Sequence, residues 1–110
     1  MMRKINIPGK VKAKERPRKG RYGNFYTPPA TQDFEARVHG SAVQAGLAPI
    51  ASDNIGIDIL FYGKYGRSDI DNLIKSVLDG FKHFFNDNKV TEISAKKIPS
   101  KEYHTEVTIK

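Results

Sequence analysis

The sequence predicts an α+β domain: a small mixed β-sheet flanked by two helices, in the order β-α-β-α-β-β. Two observations carry this. Ile55, Ile57, Ile59 and Phe61 alternate with Gly56, Asp58, Leu60 and Tyr62, and from Asp69 the hydrophobic period changes from two to that of a helix. Two further extended segments joined by a short turn close the chain, which predicts a terminal hairpin after longer crossovers. At 110 residues the chain is the size of one domain, 1–110, with no room for two independent cores.

In order, Lys4-Ile5-Asn6-Ile7 alternates as a short strand and is stopped by Pro8-Gly9. The stretch 9–30 is basic, runs to the turn Tyr26-Thr27-Pro28-Pro29, and reads as a long mobile loop. Thr31 is placed as the N-cap of a first helix, with Asp33 and Glu35 in its first turn and Phe34, Val38, Ala42 and Ala45 on one face until Gly46. The strand at 55–62 has one fully apolar face and one mixed face, as in a sheet covered on at least one side. Gly63-Lys64-Tyr65-Gly66-Arg67 then leads into a second helix over 69–85. Its apolar stripe is Ile70, Leu73, Ile74, Val77, Leu78, Phe81, Phe84 and Phe85, and its polar side carries Asp71, Lys75, Asp79 and Lys82. Asn86-Asp87-Asn88 is a turn, Lys89 to Ile98 a strand, Pro99-Ser100-Lys101-Glu102 a turn, and Tyr103, Thr105, Val107 and Ile109 the inward face of a last strand.

Composition narrows the function. The hydrophobic fraction is 38% and the longest apolar runs, such as Ile59-Leu60-Phe61-Tyr62, are far too short to span a bilayer. The start, Met1-Met2-Arg3-Lys4, has no secretory signal pattern, so the expected location is cytoplasmic. There is no cysteine, and His39, His83 and His104 have no paired spacing, so the sequence offers no zinc ligand set. The net charge of +7 is localised: residues 1–23 hold nine Lys or Arg against one Glu, while the rest of the chain holds ten basic and eleven acidic side chains. Lys12, Lys14, Arg16, Arg18, Lys19 and Arg21, with Tyr22, Phe25 and Tyr26 close by, have the chemistry to neutralise phosphates and stack on bases, and Arg67 adds a cation before the second helix. Nucleic acid is the expected partner. A solvated tail without a partner is the plain alternative for such a run.

Within this basic chain, Ser68-Asp69-Ile70-Asp71-Asn72-Leu73-Ile74-Lys75 concentrates acids at a strand-to-helix junction. Magnesium is held by one or two carboxylates together with water and substrate oxygens, and it can activate water and neutralise the charge of a phosphodiester transition state. Asp69, Asp71 and Asp87 are the candidate metal ligands. Lys75, four residues after Asp71 on the same face, can pair with that carboxylate or reach past it to a phosphate. Each residue also has a structural reading: Asp69 as an N-cap, Asp71 as a first-turn acid, Lys75 as its surface pair, Asp87 as a turn former. Geometry counts against convergence, since a helix over 69–85 would be roughly 25 Å long and would leave Asp87 at its far end. Asp79 reads as a supporting or solvated residue and His83 as a capping or surface one.

The run Asp69-Ile70-Asp71-Asn72-Leu73 with Lys75 and Asp79, then Asp87 followed by Val90, resembles the D-x-D-N-L-x-K-x-x-x-D and D-x-x-V motifs of the RusA-like Holliday-junction resolvases, including their phage and prophage relatives. Lys14-Glu15-Arg16-Pro17-Arg18 with Tyr26-Thr27-Pro28 is similar to the amino-terminal region of the phage-type members. The resemblance implies a homodimeric endodeoxyribonuclease dependent on Mg²⁺, with Mn²⁺ as a substitute. It implies resolution of four-way DNA junctions by paired symmetrical nicks, in recombination and repair, with Asp69, Asp71 and Asp87 as catalytic metal-binding acids and Lys75 at the scissile phosphate. A two-fold dimer suits a junction of near two-fold symmetry. The competing readings are a non-catalytic basic nucleic-acid-binding protein of ribosomal type, and a flap or fork nuclease with the same metal chemistry.

Overall fold

The structure, a computed structural model, describes residues 2–12, 18–19, 25–26 and 29–110, with side chains at 2–12 and 30–110. Its elements are β1 (Arg3–Pro8), β2 (Arg18–Lys19), β3 (Phe25–Tyr26), α1 (Pro29–Gln44), β4 (Ile55–Tyr62), α2 (Ile70–Gly80), a 3₁₀ turn (Asp87–Lys89), β5 (Val90–Ile98) and β6 (His104–Ile109). The α+β class and the order β-α-β-α-β-β hold, with a mixed four-stranded sheet and two helices. The proposed loop at 9–30 falls largely outside the described residues. Where it is described, Arg18 pairs with Tyr26 and Lys19 with Phe25 in a small antiparallel ribbon.

The strand order is β1-β6-β4-β5, which corrects the expected terminal hairpin. β5 runs parallel to β4, and β6 lies antiparallel between β1 and β4. The reason is burial. β4 carries Ile55, Ile57, Ile59 and Phe61 fully inside and takes a central position, β6 buries Thr105, Val107 and Ile109 beside it, and the polar, exposed β5 is left at the edge. The turn after β5 therefore carries the chain across β4 rather than back along β5.

One face of the sheet is covered. Ile5, Ile7, the four apolar residues of β4, Val107 and Ile109 pack against Phe34, Val38 and Ala42 of α1 and Leu73 and Val77 of α2, with Phe81, Phe84 and Phe85 completing the core. The opposite face is more open, and carries the ion pairs Lys4–Glu106 (3.7 Å) and Lys110–Asp58 (3.3 Å) and a stacked Tyr62–His104 pair.

Both helix boundaries differ from expectation. α1 begins at Pro29, where a proline costs the helix no hydrogen bond, so Thr31 is a buried first-turn residue rather than the N-cap. α2 stops at Gly80 instead of Phe85, which shortens it to 11 residues, about 16 Å. Phe81 closes it with its N–H directed at the carbonyls of Leu78 and Asp79, and residues 81–84 continue as turns that drive three phenylalanines inward. Gly80 ends the helix against α1, where a Cβ would overlap Val38, whose Cγ1 would lie at 2.6 Å.

Candidate active site at the start of the second helix

The acidic junction is built by the loop 63–69 and the first turn of α2. Asp69 is the N-cap: its Oδ1 accepts the Asp71 N–H at 3.0 Å, while its carbonyl accepts from Asn72 and Leu73. The structural reading of Asp69 is therefore realised, and it places Asp69 and Asp71, both exposed, at the positive end of the helix. Lys75 follows one turn later and is also exposed, and it forms no ion pair with Asp71 among the described residues. Arg67 is exposed in the loop leading to the helix.

Two clefts flank this loop. One, of about 420 Å³, is lined by Lys10, Val11, Lys12, Tyr65, Ser68 and Leu73; the other, of about 410 Å³, by Gly63, Lys64, Tyr65, Gly66, Lys97 and Pro99. Four lysines thus border the acid-bearing loop. Of these, Lys10 and Lys12 belong to the basic run read from the sequence, whereas Lys64 and Lys97 join them only through folding.

Side-chain hydrogen bonds from three sides hold the loop. Lys97 Nζ donates to the carbonyls of Gly66 and Ser68, both at 2.9 Å, and ties the loop to the end of β5. Tyr65 is buried, and its hydroxyl oxygen accepts the Val11 N–H at 2.9 Å. That bond fixes the segment bearing Lys10 and Lys12, which Arg37 also grips through the carbonyls of Pro8 and Lys10. Burial raises the Tyr65 phenol above its ordinary pKa of 10.0, opposed by the Val11 bond. Tyr103 donates to the Lys64 carbonyl at 3.0 Å and its ring lies where any Cβ on Gly63 would stand; Gly63, at φ +149°, is the residue that permits this approach.

Asp87 lies elsewhere. Because β4 and β5 are parallel, with Ile55 opposite Val90 and Tyr62 opposite Ile98, the residues before Val90 stand at the end of the sheet where β4 begins. Lys89 pairs there with Asp53 at 2.8 Å, and the Thr91 hydroxyl meets the Asn54 side chain. Asp69 and Asp71 sit where β4 has ended, about 26 Å along an eight-residue strand. Among the described residues no group of three His, Cys, Asp or Glu side chains could hold a metal ion.

Other sequence candidates are placed as follows. Lys14, Arg16 and Arg21 lie outside the described residues, and Arg18 and Lys19 are described only as the backbone of β2. Asp79 is half-buried, takes part in an interaction, and lines a groove of about 740 Å³ between the helices with Glu35, His39, Lys82 and His83. His39 and His83, remote in sequence, meet edge to face at 5.3 Å, and Lys82 pairs with Glu35 at 3.4 Å. No helix among the described residues is long and apolar enough to cross a membrane.

A small α+β domain that presents paired carboxylates at a helix start, ringed by lysines, has the parts of a protein that handles phosphodiesters. Residues 8–110 match the family model described as Endodeoxyribonuclease RusA, so the chain belongs to the RusA endodeoxyribonuclease family. Membership implies an endonuclease that resolves Holliday junctions. No individual curated protein matches the sequence.

Proposed function

We propose that this chain is a divalent-metal-dependent endonuclease that resolves four-way DNA junctions by paired symmetrical nicks, working in the cytoplasm as a homodimer. The observation that carries the reading is the exposed pair Asp69 and Asp71 at the start of α2, in a chain of the RusA family. Two exposed carboxylates at one helix start fit magnesium, which fills the rest of its octahedron with water and phosphate oxygens. When bound, Mg²⁺ or Mn²⁺ would supply the charge that activates water and stabilises the transferring phosphate.

The chain's own groups do the rest. Asp69 and Asp71 hold the ion, and the N-cap bond orients Asp69 for it. Lys75, on the same helix, meets the scissile phosphate, while Lys10, Lys12 and Arg67 receive the flanking backbone. Asp87 is read as the third acid, and the parallel β4–β5 pair keeps it from its own chain's Asp69 and Asp71. A second copy supplies it in this reading, which gives the dimer a chemical purpose beyond matching the junction's symmetry.

Purified protein is expected to cut a synthetic four-way junction only with Mg²⁺ or Mn²⁺, and Asp71→Asn to abolish cutting while junction binding persists. Unimpaired cutting by Asp71→Asn would remove the site. Mixing Asp71→Asn with Asp87→Asn, each inactive alone, should restore nicking, because one of the two shared sites in the mixed dimer is intact. Failure to restore it would remove Asp87 from a site shared between two copies. Wild-type protein that binds branched DNA and never cuts it would favour the non-catalytic reading.

A further inference from the structure

The edge of the sheet at β5 is long and open. β5 has nine residues, pairs among the described residues only with β4, and is exposed from Thr91 to Ser94, with Ile93 43% exposed despite pointing toward the helix-covered face. An unprotected edge of this kind is a template for another strand. The opposite edge, β1, is shorter and ends in Pro8.

We infer that β5 pairs antiparallel with β5 of a second copy, about a two-fold axis at Ser94, to join the two sheets edge to edge. The register follows from the side chains. The β4 alignment puts Ile93 and Ala95 on the face of Ile57 and Ile59, and Glu92, Ser94 and Lys96 on the other face with Gly56, Asp58 and Leu60. Because paired residues in a sheet point to the same side, a two-fold must pass through a residue. Centring on Ser94 sets Glu92 against the partner's Lys96 and Ile93 against the partner's Ala95, with both pairs repeated by symmetry. Centring on Ile93 would set Lys89 against the partner's Lys97. Centring on Ala95 would set Ile93 against the partner's Lys97 and Glu92 against the partner's Ile98. Centring on Glu92 or Lys96 would put like charges face to face. Ser94 is the centre that satisfies charge and covers the exposed isoleucine.

The same register has a consequence for the site, which rests on the reading of Asp87 as a shared acid. Thr91 comes opposite the partner's Lys97, and Lys97 is the residue tied to the Gly66 and Ser68 carbonyls of the acid-bearing loop. Asp87, four residues before Thr91, is thereby delivered to the end of the sheet that carries the partner's Asp69 and Asp71.

The chain has no cysteine, so introduced thiols report the register directly. Directly opposed residues lie about 4.5–5.5 Å apart at Cα, within disulfide range. Oxidised Ser94→Cys should form a disulfide-linked dimer, Glu92→Cys and Lys96→Cys should not self-link, and a mixture of those two should link to each other. By sedimentation, Glu92→Lys should weaken the dimer at least about tenfold, since two like-charge contacts appear at once, and Glu92→Lys with Lys96→Glu should restore it. A monomeric wild type, or a dimer in which Ser94→Cys does not link and Glu92→Lys changes nothing, would overturn the interface. These measurements need neither DNA nor metal. A cross-linked dimer that cuts no junction would sink the nuclease reading alone, and junction cutting by a protein that fails them would sink the interface alone.

Discussion

Tyr65→Phe tests how the fold holds the segment that carries Lys10 and Lys12. The change keeps the ring and its contacts with Phe61 and Tyr103, and removes the hydroxyl that accepts the Val11 N–H. Val11 is 3% exposed and Tyr65 5%, so water does not readily replace the lost acceptor. A buried amide left without a partner costs about 1–3 kcal/mol, while the apolar burial of the ring is unchanged. With a urea m-value of about 1–2 kcal/mol/M, the unfolding midpoint should fall by about 1 M. Val11 lies between Lys10 and Lys12, so junction binding should weaken as well, and both effects should appear in the same variant. A midpoint shift below about 0.3 M with unchanged binding would refute the claim that this bond anchors the segment. The raised phenol adds a pH signature. The folded state keeps Tyr65 neutral when the unfolded chain ionises it, so this contribution is complete below pH 10.0 and is lost as pH rises through the higher folded value. The alkaline decline in stability should therefore be shallower in Tyr65→Phe than in the parent.

Asp69→Asn and Asp69→Ala separate the cap from the chemistry: asparagine should keep stability, alanine should lose about 1 kcal/mol in denaturant titration, and both should abolish cleavage. Equal stability of the two would mean that the cap bond contributes little. Gly80→Ala should destabilise by about 1–3 kcal/mol, despite alanine's better helix propensity, because its methyl meets Val38. Val38→Ala combined with it should recover part of the loss in thermal unfolding, and no recovery would place the conflict elsewhere. Lys97→Met should leave the fold intact but free the Gly66–Ser68 loop, and should lower cleavage more than junction binding; equal losses would make Lys97 a phosphate contact instead.

Much of the fold was legible locally. Alternation at 55–62 and helical spacing from Ile70 reflect which face each side chain must bury, and that requirement acts within a few residues. The same locality identified Asp69 and Asp71, neighbours on one helix turn. Where local signals competed, tertiary packing decided: the phenylalanines at 81, 84 and 85 fit a helical stripe, yet Gly80 against Val38 ends the helix and turns carry them inward.

Strand order was invisible for a physical reason. Two strands joined by a short turn pair locally unless burial elsewhere outweighs it, and the polar face of β5 sends it to the edge while β6 fills the place beside β4. The sequence by itself determined the elements, the acid pair at a helix start, and the motifs that mark a RusA nuclease, because each is written in contiguous residues. Only the tertiary structure gathered Lys10, Lys64, Tyr65 and Lys97 around that pair, whereas helix length alone already put Asp87 at the far end of α2. That gathering depends on contacts between segments remote in sequence, which no local spacing encodes.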